Sequence, residues 1–346
     1  MFFNRKTQKR YCKLILISIF SFILGSMVAI NLAPINKTCR IENQDKEYNI
    51  MNNSKLKNPD LMIIIVTARH ITNVKHYFVI GTLGLSNSVL ANLKTEQKEH
   101  NDLLYLPIYD SYQNLTEKIA KTFSWLTDQL DVGLNFKYVL KCDDDSFVRL
   151  ENLVHELNHL EIIYVKSHIN NTSTVNDNTS PYITANYQVN NAGLKNPRSL
   201  YWGYFSGHAR IYKKGKWKET EWILCDYYIP YALGGGYVLS KNLVTYLGRN
   251  ADYLRYYNSE DISVGTWLGP INNLIRIHDI RFDTEWISRG CQNHYLISHH
   301  LSIPKMHELF KNIMDLGNMC ATELVDHPHY LYNWLLPPTK CCPKNK

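Results

Sequence analysis

No two of the eight cysteines stand at Cys-x-x-Cys spacing, which argues against a structural zinc site. No glycine-rich stretch has the spacing of a phosphate-binding P-loop or a dinucleotide fingerprint, so the run Gly234, Gly235 and Gly236 is by itself a weak signal. An EF-hand is excluded too: counted from Asp143, the positions that require Gly and Glu hold Val148 and Val154. Acidic residues are missing from the first thirteen positions, where Arg5, Lys6, Lys9, Arg10 and Lys13 account for five units of the formal net charge of +7. The rest of the chain is therefore near neutral, and its basic balance speaks for membrane topology and not for a nucleic-acid partner.

What is present begins with length: 346 residues, 45% of them hydrophobic, can bury one large core or two modest ones. Leu14 to Ala33 is a nearly uncharged run. At about 1.5 Å per residue it spans the ~30 Å hydrocarbon core, longer than a secretory signal needs. The expectation is an uncleaved single transmembrane signal anchor at 14–33, with residues 1–13 cytosolic, 34–58 a polar stem and 59–346 lumenal. Seven cysteines then face an oxidising compartment, and an odd number leaves at least one outside any internal disulfide. Sequons fall at Asn36, Asn52, Asn114, Asn170, Asn171 and Asn178. Asn114-Leu-Thr-Glu117 also fits a helix N-cap with its reciprocal Glu, so a cap is expected there and glycans at Asn170, Asn171 or Asn178.

Strand and helix patterns alternate along the lumenal part, which predicts an α/β layer architecture. Apolar runs at Leu61–Thr67, Lys75–Thr82 and Leu103–Ile108 read as strands, with an exposed helix over Asn92–His100. Apolar spacing of three and four predicts amphipathic helices over Asn114–Leu130 and Leu150–Leu160. The first two strands lie too close in sequence for a normal βαβ crossover. Residues 167–198, dominated by Asn, Thr and Ser, read as a flexible insertion.

The chemistry concentrates where the strand beginning at Lys137 stops at Asp143, Asp144 and Asp145. Adjacent carboxylates repel unless a cation or proton neutralises them, and a hard divalent ion fits oxygen donors at a strand end. The plainer alternative is a polar turn before a helix. Glu260-Asp261 is either charge complementing a helix N-terminus or a general base beside a second acid. His299 is a possible metal ligand among fourteen histidines.

Together, Asp110-Ser-Tyr-Gln-Asn-Leu-Thr116, Lys141-Cys-Asp-Asp-Asp-Ser-Phe147, Tyr231-Ala-Leu-Gly-Gly-Gly-Tyr-Val-Leu-Ser240 and Glu260-Asp-Ile262 resemble the β-1,3-glycosyltransferase family of the Golgi. Tyr201-Trp-Gly-Tyr-Phe-Ser-Gly207, Cys225-Asp-Tyr-Tyr228, His278 to Glu285 and Cys341-Cys342 look closest to its galactosyltransferases of the glycosaminoglycan linkage region. The resemblance implies a GT-A nucleotide-sugar-binding domain with a mixed sheet, using UDP-galactose and Mn²⁺ and inverting the anomeric centre. It implies Asp145 and His299 as metal ligands, and Asp143, Asp144 and Gly234–Gly236 at the diphosphate and sugar. Asp261 is the implied base, with Glu260 beside it. The implied acceptor is a galactosyl-xylose on a proteoglycan core protein, and the implied location is the Golgi membrane. A β-1,3-GlcNAc or other hexosyltransferase is the neighbouring reading. One departure is that Ala68-Arg69-His70 runs directly into Ile71, where the family carries an Arg-rich helix, and this gap raises the alternative of a non-catalytic Golgi subunit.

Overall fold

The computed structural model describes residues 61–64, 74–162, 180–186 and 199–343. The chain divides into residues 1–52 and 53–346. The expected anchor at 14–33, the stem and the sequons at Asn170, Asn171 and Asn178 lie outside the described residues. Among the described residues no helix is long and apolar enough to cross a membrane.

The elements run β1 (Leu61–Ile64), β2 (Val74–Leu83), α1 (Asn87–His100), β3 (Leu103–Tyr109), α2 (Leu115–Asp131), β4 (Tyr138–Cys142), β5 (Phe147–Val148) and α3 (Leu150–Leu160). They continue as β6 (Ile183–Ala185), β7 (Ser199–Ser206), β8 (Tyr231–Ser240), α4 (Lys241–Arg249), α5 (Glu260–Trp267), β9 (Leu274–Asp279), β10 (Phe282–Asp283) and β11 (Gly290–Cys291). The last are β12 (Ile297–Ser298), α6 (Ile303–Leu316) and β13 (Leu324–Val325). An eight-stranded mixed sheet has the order β3-β2-β1-β4-β8-β7-β9-β6. Strands β3, β2, β1 and β4 are parallel to their neighbours, and β8 then runs antiparallel to β4. This is the mixed α/β architecture expected of a GT-A domain.

The central strands β4, β7 and β8 are buried on both faces, which is why β4 and β8 read as near-continuous apolar runs. Alternate residues of β4 point opposite ways: Val139 joins a core with Ile119, Phe123 and Leu126 of α2 and with Leu243, Val244 and Leu247 of α4. Tyr138, Leu140 and Cys142 join the opposite core, with Leu150, Leu153, Leu157 and Leu160 of α3. That alternation puts Lys141 on the face of Val139, where it is 2% exposed.

Three expectations change here. The strand pair judged too close for a crossover is nonetheless adjacent and parallel, with Leu61 opposite Val74. The unbroken apolar run of β1 needs backbone partners on both sides, and it finds them in β2 and β4. Their link, residues 65–73, lies outside the described residues. Within the expected flexible insertion, β6 is a strand on the sheet edge, pairing antiparallel with β9 and burying Ile183. Asn114 sits at the start of α2 but makes no side-chain cap; its Nδ2 instead donates to Tyr109 O at 3.0 Å. Disulfides join Cys291 to Cys320 and Cys341 to Cys342, and Cys225 remains an exposed thiol.

Candidate active site

The carboxyl end of β4 delivers Asp143, Asp144 and Asp145 to the edge of a cavity of about 860 Å³. A three-stranded sheet, β10-β12-β5, folds the chain after the aspartates back on itself: Ser298 pairs with Phe147, which brings His299 over Asp143 and Asp145. His299 N–H donates to Asp283 O at 3.0 Å, and Leu301 N–H donates to Asp145 O at 3.0 Å, so both sides of the site are pinned by backbone. His299 Nε2 lies 3.4 Å from Asp143 Oδ2 and 3.3 Å from Asp145 Oδ1.

This trio suits a hard divalent cation. Its ligand atoms lie within 4.8 Å of one another, and the buried Asp145 Oδ1 has no partner beyond the 3.3 Å approach of His299 Nε2. One imidazole and two carboxylates leave further coordination positions for ligand oxygens. In the metal-free protein, burial disfavours the imidazolium of His299, but Asp143 and Asp145 outweigh it and raise its pKa to about 9. Asp143 is itself held down at about 2, because Lys141 and His299 overcome its burial.

The three glycines lie inside β8, and none has a positive φ. Their use is close approach. A Cβ on Gly235 would stand 2.5 Å from His299 Cγ, so the ring sits directly on bare backbone. Gly235→Ala is therefore expected to push the imidazole away and weaken divalent-metal binding at least about 10-fold, with little change in secondary structure. Metal titration beside circular dichroism checks this; unaltered affinity would show that His299 does not need the space. Gly234 also lines the cavity. Gly236 sits one residue further along, paired with Cys142, and its missing side chain faces Ile297.

Glu260 and Asp261 open α5, beside β8. The Asp261 carboxylate is held by two backbone donors: Gly234 N–H reaches Oδ2 at 3.0 Å and Ile262 N–H reaches Oδ1 at 2.8 Å. Burial raises its pKa above the ordinary aspartate value, against the lowering pull of Lys141 and the two backbone donors. Glu260, 3% exposed, forms an ion pair with Lys141 and accepts Tyr237 O–H at 3.0 Å. Burial, reinforced by Asp261 and Asp143, outweighs Lys141 and pushes Glu260 up to about 7.

Lys141 was given no role from the sequence. It joins the two halves of the site: its Nζ donates to Asp143 Oδ1 at 2.7 Å and to Gly234 O at 2.6 Å while pairing with Glu260. Burial works against the ammonium, yet Asp143 and Glu260 raise it above the ordinary lysine range. A lysine inside an apolar strand was the available signal, because a buried cation requires partners. Ser146 was also missed; its hydroxyl donates to Gly235 O at 2.7 Å. Asp144 is exposed at the rim.

A family profile described as Galactosyltransferase matches residues 64–278, more than half of the chain. The chain belongs to the galactosyltransferase family. It is 41% identical over 270 residues to beta-1,3-galactosyltransferase 6 of Mus musculus, covering 78% of this chain and 72% of that protein. It is 26% identical over 235 residues to a UDP-GalNAc:beta-1,3-N-acetylgalactosaminyltransferase 2 of Xenopus tropicalis, covering 67% of this chain and 39% of that one. To a hydroxyproline O-galactosyltransferase of Arabidopsis thaliana it is 26% identical over 252 residues, covering 72% of this chain and 31% of the relative. The chain thus spans less than half the length of these last two. It is a glycosyltransferase of the β-1,3-galactosyl and GalNAc transferase group, and that family uses UDP-sugar donors and glycan acceptors.

Proposed function

We propose that this galactosyltransferase moves galactose from UDP-galactose, with Mn²⁺, to the 3-hydroxyl of a galactosyl-xylose acceptor on a proteoglycan core protein. The proposed setting is the Golgi lumen, with residues 14–33 as a type II membrane anchor. One observation carries the reading: Asp143, Asp145, His299 and Asp261 line a single cavity, with Asp261 and the acid cluster bridged by the backbone of Gly234 and the ammonium of Lys141. β-1,3-Galactosyl transfer is supported by the 41% identity to the mouse beta-1,3-galactosyltransferase 6, and the linkage-region acceptor rests on the motif resemblance of Tyr201–Gly207, Cys225–Tyr228 and His278–Glu285.

In this reading Asp145 and His299 hold the cation and Asp143 faces the donor diphosphate. A bound Mn²⁺ would neutralise charge on the diphosphate. Asp261 takes the proton from the acceptor hydroxyl as that oxygen attacks C1 of the donor sugar. The C1–O bond to UDP breaks with its electron pair leaving on the diphosphate, so the anomeric centre inverts without a covalent enzyme intermediate. The two N–H donors on Asp261 fix its orientation and leave each oxygen a further lone pair.

The test is to express residues 35–346 in a secretory host and assay a panel of UDP-sugars with Mn²⁺ on a β-galactosyl-1,4-xyloside. Galactose transfer is expected, and Asp145→Ala should lose the metal dependence of UDP binding. Transfer of GlcNAc alone would replace the donor assignment. A folded protein that binds UDP but transfers nothing would favour the non-catalytic reading, to which the short link at 65–73 points.

A further inference from the structure

A second constellation borders the same cavity and has no part in the chemistry at Asp261. Lys216 Nζ stands 4.2 Å from the ring centroid of Tyr112, 4.9 Å from that of Trp217 and 4.9 Å from that of Trp286. Tyr112 and Trp217 meet edge to face at 4.8 Å, and Trp286 lies against His300 at 4.2 Å. Three distant segments therefore converge on one ammonium: the turn before α2, the loop between β7 and β8, and the turn after β10. The rings remain open to solvent, Tyr112 at 52% and Trp286 at 59% exposure. Attraction between a cation and ring faces orders the rings without covering them.

The loop is fastened on the side of the proposed base. Asn258, just ahead of α5, donates from Nδ2 to Lys216 O at 2.8 Å and to Lys218 O at 3.2 Å. Its backbone N–H donates to Glu219 Oε2 at 2.9 Å, and Glu219 N–H closes the loop on Tyr212 O at 2.7 Å. Tyr112, Tyr212, Trp217, Trp286 and His300 all line the cavity, whereas Phe78, Val79 and Ile80 of β2 line it from the sheet. Flat apolar faces beside an N–H donor complement a pyranose, which has an apolar C–H face and a rim of hydroxyls.

We propose that Trp217, Trp286 and Lys216 form a subsite for the second sugar of the acceptor, the pyranose next to the one whose hydroxyl is glycosylated. This ring packs a C–H face on an indole and accepts hydrogen bonds from Lys216 Nζ on its hydroxyls. The preferred acceptor is then at least a disaccharide. The inference rests on the transferase reading above, and only the acceptor side of the kinetics should sense it.

Steady-state kinetics with UDP-galactose and a β-galactosyl-1,4-xyloside test it in the wild type, Trp286→Ala, Trp286→Phe and Lys216→Gln. Trp286→Ala is expected to raise the acceptor KM about 10-fold while leaving the donor KM within about 2-fold, and Trp286→Phe should restore most of the loss. Lys216→Gln should raise the acceptor KM in the same sense. An unchanged acceptor KM in Trp286→Ala, or donor and acceptor KM rising together in all three variants, overturns the subsite and leaves the transferase reading standing. A wild type that transfers to no acceptor overturns both.

Discussion

Asp261→Asn is expected to lower transfer by about 10²–10⁴-fold, the usual contribution of a positioned general base, while the protein still folds and binds UDP with the same metal dependence. The side chain is isosteric, and its remaining oxygen can accept from one of the two backbone donors, Gly234 N–H or Ile262 N–H. The other loses its acceptor at a site on the cavity wall. The hydrogen bonds of Asp261 go to Gly234 and Ile262 and not to Asp143, Asp145 or His299, and only its charge acts on Asp143, so cation affinity should change little. Initial rates beside UDP titrations, with and without metal, separate the two effects. Retained turnover would remove Asp261 from the chemistry and direct attention to Glu260.

The second large effect is on stability. Lys141→Met leaves Glu260 and Asp143 without their shared cation, and removing one partner of a buried ion pair costs about 3–5 kcal/mol. A loss on the order of 10 °C in Tm should follow. The sign of its pH dependence is determined by Glu260. Its folded pKa, already about 7 with Lys141 present, climbs further once the ammonium is gone, whereas in the unfolded chain it returns to the ordinary value near 4.5. The folded state then holds a proton that the unfolded chain releases, so stability falls as pH rises from about 4.5 through 7 and beyond. Thermal melts of the variant should show the smallest deficit near pH 5 and the largest near pH 8. Adding Glu260→Gln to Lys141→Met should flatten that slope. A deficit independent of pH would mean that Glu260 is not the group left uncompensated.

Of the candidate residues, those whose chemistry is local were readable from the chain. An apolar run ending in three aspartates announces a strand end with a charge problem, and Glu260-Asp261 ahead of an apolar segment announces a helix start. Both elements are present, as β4 and α5. His299 was one histidine among fourteen, and only its motif context singled it out; the β5–β12 pairing is what carries it to Asp145. Asn114 misled because its triplet with Glu117 scores as a cap, while Tyr109 O, five residues earlier, competes for the same side chain. The insertion misled in another way: polar composition across 167–198 hid three residues that find a ladder partner on β9, about ninety positions away.

Composition and spacing by themselves determined the layer class, the buried central strands, the helices packed on them and the position of the acid cluster, because each depends on neighbours within a few residues. Tertiary structure alone decided what the acids touch. Lys141 meets Gly234 and Glu260, 93 and 119 positions along the chain, because β8 lies beside β4 and α5 packs on β8. Lys216 gathers Tyr112 and Trp286 across comparable spans. Such partners follow from sheet order and strand register, which emerge when distant segments bury their apolar faces together, and no local pattern records them.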